Sequence, residues 1–147
     1  VVFLSATEVD LDFNVNCMTD SNGVLMGASG GHSDTAAGAK LAVIVVPLIR
    51  GRLPMIRDKV QTVITPGESI DVIVTERGVA INPKRTDLLE KLKDSNLPLY
   101  TIQELQQMSY DLVGKPKDIE VSQEDKDIVA VVEYRDGSII DLVRKPL

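Results

Sequence analysis

Residues 24–46, VLMGASGGHSDTAAGAKLAVIVV, join a short apolar run, a glycine-rich loop, a small-residue segment and a second apolar run in one continuous stretch. The run at 24–26 reads as a strand, and "DSNG" at 20–23 supplies the Asn-Gly pair that favours a tight hairpin into it. After the loop, Ser33 or Asp34 is placed to cap a short helix through Ala39, because a short side-chain oxygen accepts from the free amides of a first helical turn. Residues 41–46 (LAVIVV) are apolar at every position, as a strand buried on both faces of a parallel sheet requires. Strand, loop, helix and buried strand together make the repeating unit of an α/β fold.

Outward from this stretch the same alternation continues. Strands are expected at 1–10, 14–18, 61–65 and 70–75, with a turn at Pro66–Ser69. Leu88, Leu89 and Leu92 lie at helical spacing after Thr86, and Pro98 follows the end of that helix. A further helix begins at Thr101, where Thr101 and Glu104 form a capping box, carries Ile102, Leu105, Met108 and Leu112 on one face, and ends near Gly114. Residues 115–127 are charged and aperiodic and read as a surface connection. The closing segment 128–147 is a hairpin around Asp136-Gly137. The expected architecture is a mixed, largely parallel sheet with flanking helices, formed by residues 1–147 as one domain.

Composition removes several functional classes. The 147 residues are 44% hydrophobic and 26% charged, which suits a globular core. No apolar run approaches the roughly 20 residues of a bilayer-spanning helix. A net charge of −6 and 3% aromatic residues argue against a nucleic-acid surface. Cys17, the single cysteine, has no disulfide partner and fits the apolar core, so a reducing cytoplasm is the expected compartment. The chain opens on the strand-like "VVFLSATEVDL" without methionine, which is expected of a piece of a longer protein.

In open α/β sheets ligands sit at the carboxyl ends of the strands, which is where the glycine loop falls. Gly27, Gly30 and Gly31 permit positive φ and close approach to bare backbone, and the following helix start leaves amides free to donate to an anion or an oxyanion. The loop has neither the Lys-Ser/Thr ending of a nucleotide-triphosphate loop nor dinucleotide spacing. His32 titrates near neutrality, yet with Ser29, Ser33 and Asp34 as its only polar neighbours in sequence it reads as a loop-ordering residue rather than a triad member. His32 with Asp34 offers at most two metal ligands, and no metal site is expected. Glu8 lies on a strand, where a carboxylate is either solvent-facing or deliberately paired. Glu76 ends a strand and is positioned to reach a ligand. Arg50, Arg52, Arg57 and Lys59 form the one basic concentration, suited to an anionic ligand or simply to solvent.

"ATEVDLDFNVN", "GASGGHSDTAAGAKLAVIVVPLIRGRLPMI", "VITPGESIDVIVTERGVAINP" and "VVEYRDGSIIDLVRKPL" closely resemble the carboxyl-terminal part of citrate lyase alpha subunits. More widely, "EVDL", "GGHSD" and "VTERGVA" are similar to the ordered motifs of acetyl-CoA hydrolases and acyl-CoA:carboxylate CoA-transferases. The resemblance implies the second of two related CoA-transferase-like α/β domains. It implies transfer of a thioester carrier from acetate to citrate, on acyl-CoA or on the CoA-derived prosthetic group of the acyl carrier subunit. Citrate lyase beta and gamma subunits, a homo-oligomeric alpha subunit and a cytoplasmic setting are its implied partners and place. Gly30 and Gly31 match the segment whose amide helps line the oxyanion hole in relatives, while the attacking glutamate lies upstream of Val1, so the 147 residues alone are expected to be inactive. Gly27, Ser29, His32, Asp34, Arg50, Arg52 and Glu76 are the accompanying substrate or CoA contacts. Relatives often carry glutamine at the position of His32. A general acetate CoA-transferase, an acyl-CoA hydrolase and a non-catalytic interface half of the alpha subunit are the rival readings.

Overall fold

A computed structural model describes residues 1–147 in full. In chain order the elements are β1 (Val2–Ser5), β2 (Glu8–Asp10), β3 (Val15–Asn16), α1 (His32–Gly38), β4 (Ala42–Val45), β5 (Ile49–Arg50), β6 (Leu53–Pro54), β7 (Ile56–Arg57), β8 (Val72–Val74), β9 (Val79–Ile81), α2 (Thr86–Leu92), β10 (Leu99–Tyr100), α3 (Ile102–Val113), β11 (Ile128–Glu133) and β12 (Ile139–Arg144).

The main sheet has five strands in the order β1-β4-β8-β9-β10. Every pairing in it is parallel except β8 with β9, so the sheet is mixed and mostly parallel. Ser5, Val45 and Val74 stand in register, which brings the carboxyl ends of β1, β4 and β8 to one edge. The all-apolar β4 lies between β1 and β8, with Ala42 and Ile44 fully buried. Ala42, Ile44, Ile73 and Ala80 face a core completed by Ala36 of α1, by Ile102 and Leu105 of α3, and by Val9, Val15 and Ile56 of a small β3-β2-β7 sheet. Each such large side chain removed from water contributes on the order of 1.5–3 kcal/mol. Thr101 and Glu104 form the reciprocal capping box of α3, and Gly114 terminates it at φ 84°.

Four local expectations are corrected. Residues 1–10 are two strands in two sheets, because the Thr7 hydroxyl donates to the carbonyls of Asn16 and Thr19 and turns the chain out of β1's sheet. Residues 61–65 form no strand beyond a bridge from Thr65 to Val15. The amides of Val60, Gln61 and Val63 are taken by the carboxylates of Asp10, Glu8 and Asp141 and are unavailable for a ladder. Neither Ser33 nor Asp34 caps α1: the cap position is Gly31 and no side chain bonds there. Residues 24–26 form no strand, although the Asp20 amide donates to the Val24 carbonyl and the Met26 amide to the Met18 carbonyl, as in a hairpin.

The terminal hairpin forms as read, around Gly137 at φ 85°. It is a separate two-stranded sheet that joins the rest through a second apolar cluster of Met18, Ile64, Val132 and Val143. No helix is long and apolar enough to cross a membrane.

Candidate functional site at the carboxyl edge of the sheet

The glycine loop sits where β1 ends. His32, the first residue of α1, is buried, with Nδ1 2.7 Å from Thr65 Oγ1 and Nε2 3.0 Å from the carbonyl of Ser5. A carbonyl only accepts, so Nε2 carries the proton and Nδ1 accepts from the threonine hydroxyl. Burial pushes the His32 pKa below its ordinary value, against the raising effect of the Ser5 carbonyl, which keeps the ring neutral. His32 therefore pins the start of α1 to the end of β1 and presents no free nitrogen to a ligand. Its two partners lie 27 and 33 residues away in sequence, and nothing local in the sequence marks them.

Immediately before this pin, Gly30 has φ 54° and Gly31 φ −93°, ψ 24°. Of the three loop glycines only Gly30 uses the left-handed region. The amides of Gly30 and Gly31 donate to no group in the chain, whereas His32 N closes on the Ser29 carbonyl at 3.2 Å. Consecutive unpaired amides in such a turn make a concave donor surface that suits an oxyanion. Gly27 and Asp34 are exposed and Ser29 half-buried on the same loop. Asp34 stabilises the first turn of α1 by its charge and opposes a second anion there.

Glu76 follows β8 on the same edge. It is exposed, and its Oε2 accepts from the Leu48 amide at 2.9 Å, tying the loop after β8 to the loop after β4. Arg50 and Arg52 flank Gly51 in the turn between β5 and β6, both exposed and without an ion pair. Arg57 does not join them: it is buried, donates to the Lys117 carbonyl at 3.4 Å and lies 3.8 Å from Asp118.

The carboxylates of "EVDL" are internal. Glu8 is 1% exposed, and its Oε1 accepts from Asn16 Nδ2 at 3.0 Å and from the Gln61 amide at 2.6 Å. Asp10 accepts from the amides of Asp12, Asn14 and Val60 and from Asn14 Nδ2. Burial raises the Asp10 pKa in spite of those bonds. Both residues tie β2 to neighbouring backbone, and Glu8 also lines a cleft with Arg57, Lys59 and Gln61. Cys17 is half-buried, and burial pushes its thiol up, away from the thiolate needed for chemistry. No cluster of metal-binding side chains occurs.

Known proteins share this edge and the sheet behind it. Residues 1–146 match the family described as Citrate lyase, alpha subunit (CitF). The citrate lyase alpha chains of Klebsiella pneumoniae and Escherichia coli are 59% and 50% identical to 99% of this chain. This chain spans 28% of the length of each. A solved Streptococcus mutans chain, assigned as an alpha subunit of citrate lyase and in complex with citrate, superposes with a TM-score of 0.93 at 56% identity over 99% of this chain and 28% of its own. By that near-complete match, the chain belongs to the citrate lyase alpha subunit family.

Proposed function

We propose that this chain is half of a thioester-exchange site, in which the Gly30 and Gly31 amides stabilise the oxyanion formed when a carboxylate attacks an acetyl thioester. The observation that carries the reading is the pair of unpaired amides at the end of β1, held in place by the doubly bonded His32. In the full-length alpha subunit the exchange replaces acetate by citrate, giving citryl thioester and free acetate. The thioester is acyl-CoA or the CoA-derived group of the acyl carrier subunit, and the attacking glutamate belongs to sequence outside these 147 residues. Exposed Arg50 and Arg52 draw the anionic substrates towards this edge.

The corresponding fold is the second of two related CoA-transferase-like domains. Its partners are the beta subunit that cleaves the citryl thioester, the gamma carrier subunit and further alpha copies, in the cytoplasm. Membership of the citrate lyase alpha subunit family favours citrate over water or a simple acid as the acceptor.

The test uses full-length protein. An alanine at Gly30 must adopt φ near 54° and displaces the donor pair, whereas a Cβ at Gly31 meets nothing nearer than Thr35 Oγ1 at 3.6 Å. Gly31→Ala therefore retains the fold while placing a methyl group beside the amide. Alanine keeps the amide and crowds or misplaces it, so the cost of a lost oxyanion donor, on the order of 100- to 1000-fold in rate, is the upper bound. Both variants should depress transfer from acetyl-CoA to citrate, Gly30→Ala more severely. Unchanged turnover in both would remove the loop from the reaction.

A further inference from the structure

Alternation along the strands of the main sheet sends Ala42, Ile44 and Ile73 into the core and turns their neighbours to the opposite face. There Phe3, Val43 and Val72 stand side by side in one cross-strand row, and Ser5, Val45 and Val74 in the next. Five of these six side chains are apolar, the composition of a covered face. Yet α1 and α3 give Ala36, Ile102 and Leu105 to the core side, and α2 buries none of its residues.

Val43 and Val72 are buried, whereas Phe3 is 69% and Val45 49% exposed. Exposed Val1 continues the alternation of Phe3, so the bare apolar area of this face lies towards β1. β1 is also an edge strand. Because the Val2 amide donates to the Leu41 carbonyl, the next residue, Phe3, directs its N–H and C=O away from β4. Along that edge no strand of these 147 residues lies.

Parallel sheets occur with both faces covered, and an apolar edge strand left open is a template for pairing. We propose that the face at Val1, Phe3 and Val45 is an intramolecular docking surface. In the full-length alpha subunit it is closed by a strand along β1 and an apolar-faced helix, both from sequence outside residues 1–147. This chain spans 28% of the length of its curated relatives, so most of an alpha subunit is available to supply them. Handedness agrees with that source. The crossover from β1 to β4 places α1 on the core face, and a right-handed crossover winding the other way from β1 places its helix on the opposite one. A second copy of the chain does not serve, because two-fold pairing of β1 with β1 extends the sheet and leaves Phe3 and Val45 bare.

The test uses the full-length alpha subunit with the photoreactive p-benzoylphenylalanine installed at Phe3, which keeps an aromatic ring on the face. Irradiation should yield a product of single-chain mass in which peptide mass spectrometry joins position 3 to a segment outside residues 1–147. A product of two chains would assign the face to a second copy and overturn the proposal. Reaction only within residues 1–147, or none, would overturn it as well. Hydrogen exchange of the wild-type subunit makes the same test without a substitution. The Phe3 amide, which has no acceptor in these residues, should exchange roughly 100-fold or more slowly than in an unstructured peptide. Exchange at the unstructured rate would show an open edge and contradict the proposal. Val45→Asp should lower the melting midpoint of the full-length subunit, since an unpaired carboxylate is then shut into an apolar contact, whereas Ser138→Asp in the exposed hairpin turn should not. Equal midpoints for the two variants would count against a covered face.

Discussion

Replacing His32 with alanine removes the imidazole that joins the end of β1 to Thr65 across the start of α1. The Ser5 carbonyl loses the ring N–H that it accepts from, and the buried Thr65 hydroxyl loses its acceptor. Ser5 is exposed and recovers a water, whereas the buried Thr65 hydroxyl is left unpaired, so the local destabilisation is about 1–3 kcal/mol. At 1.4 kcal/mol per factor of ten, this amounts to a loss of protection of about 5- to 100-fold. Hydrogen exchange of the full-length subunit, followed on peptides covering residues 29–38, reads that quantity directly. His32→Gln keeps a donor for Ser5 and should recover a substantial part. The pH dependence has a definite sign. The folded pKa of His32 lies below its unfolded value near 6.5, so the unfolded chain binds the extra proton first. Stability from this group is therefore fully present above pH 6.5 and is lost as pH falls from there through the folded pKa. After correction for intrinsic exchange, wild type should lose protection on acidification and His32→Gln should not. Unaltered protection in His32→Ala would refute the view that this histidine holds the loop.

Gly67 approaches the chain too closely for any side chain: an added Cβ would stand 1.9 Å from the Asp12 carbonyl oxygen. Gly67→Ala should therefore give little soluble, folded subunit, and normal yield with an unshifted melting curve would contradict this close approach. Asp141 Oδ2 accepts from the Val63 amide at 2.7 Å and, with the Met18, Ile64, Val132 and Val143 cluster, fastens the terminal hairpin. Asp141→Ala should cost about 1–2 kcal/mol and make the hairpin the first segment cut in limited proteolysis; an unchanged cleavage pattern would count against that anchor.

What the sequence made readable was governed by range. The capping box at Thr101 and Glu104, the Asp136-Gly137 turn and the all-apolar β4 depend on neighbours within a few residues, and all three appear. The strand expected at 61–65 fails for a long-range reason: carboxylates up to 78 residues away claim its amides. The basic concentration at 50–59 divides for a similar reason, since Arg57 turns inward to Lys117 and Asp118 while Arg50 and Arg52 stay exposed. At the site itself, the glycine loop and Glu76 are visible as motifs. Ser5, Thr65 and Leu48, which hold them in place, become visible only once the chain is folded.

At the centre stands the claim that this edge serves the exchange of a carboxylate on a thioester. Purified full-length alpha subunit, supplied with acetyl-CoA and isotopically labelled citrate and sampled by mass spectrometry, tests it most directly. Citryl-CoA and acetate should form in equal amounts, with the whole label of citrate retained in the thioester. Acetyl-CoA consumed to free CoA and acetate with no labelled thioester would contradict the claim.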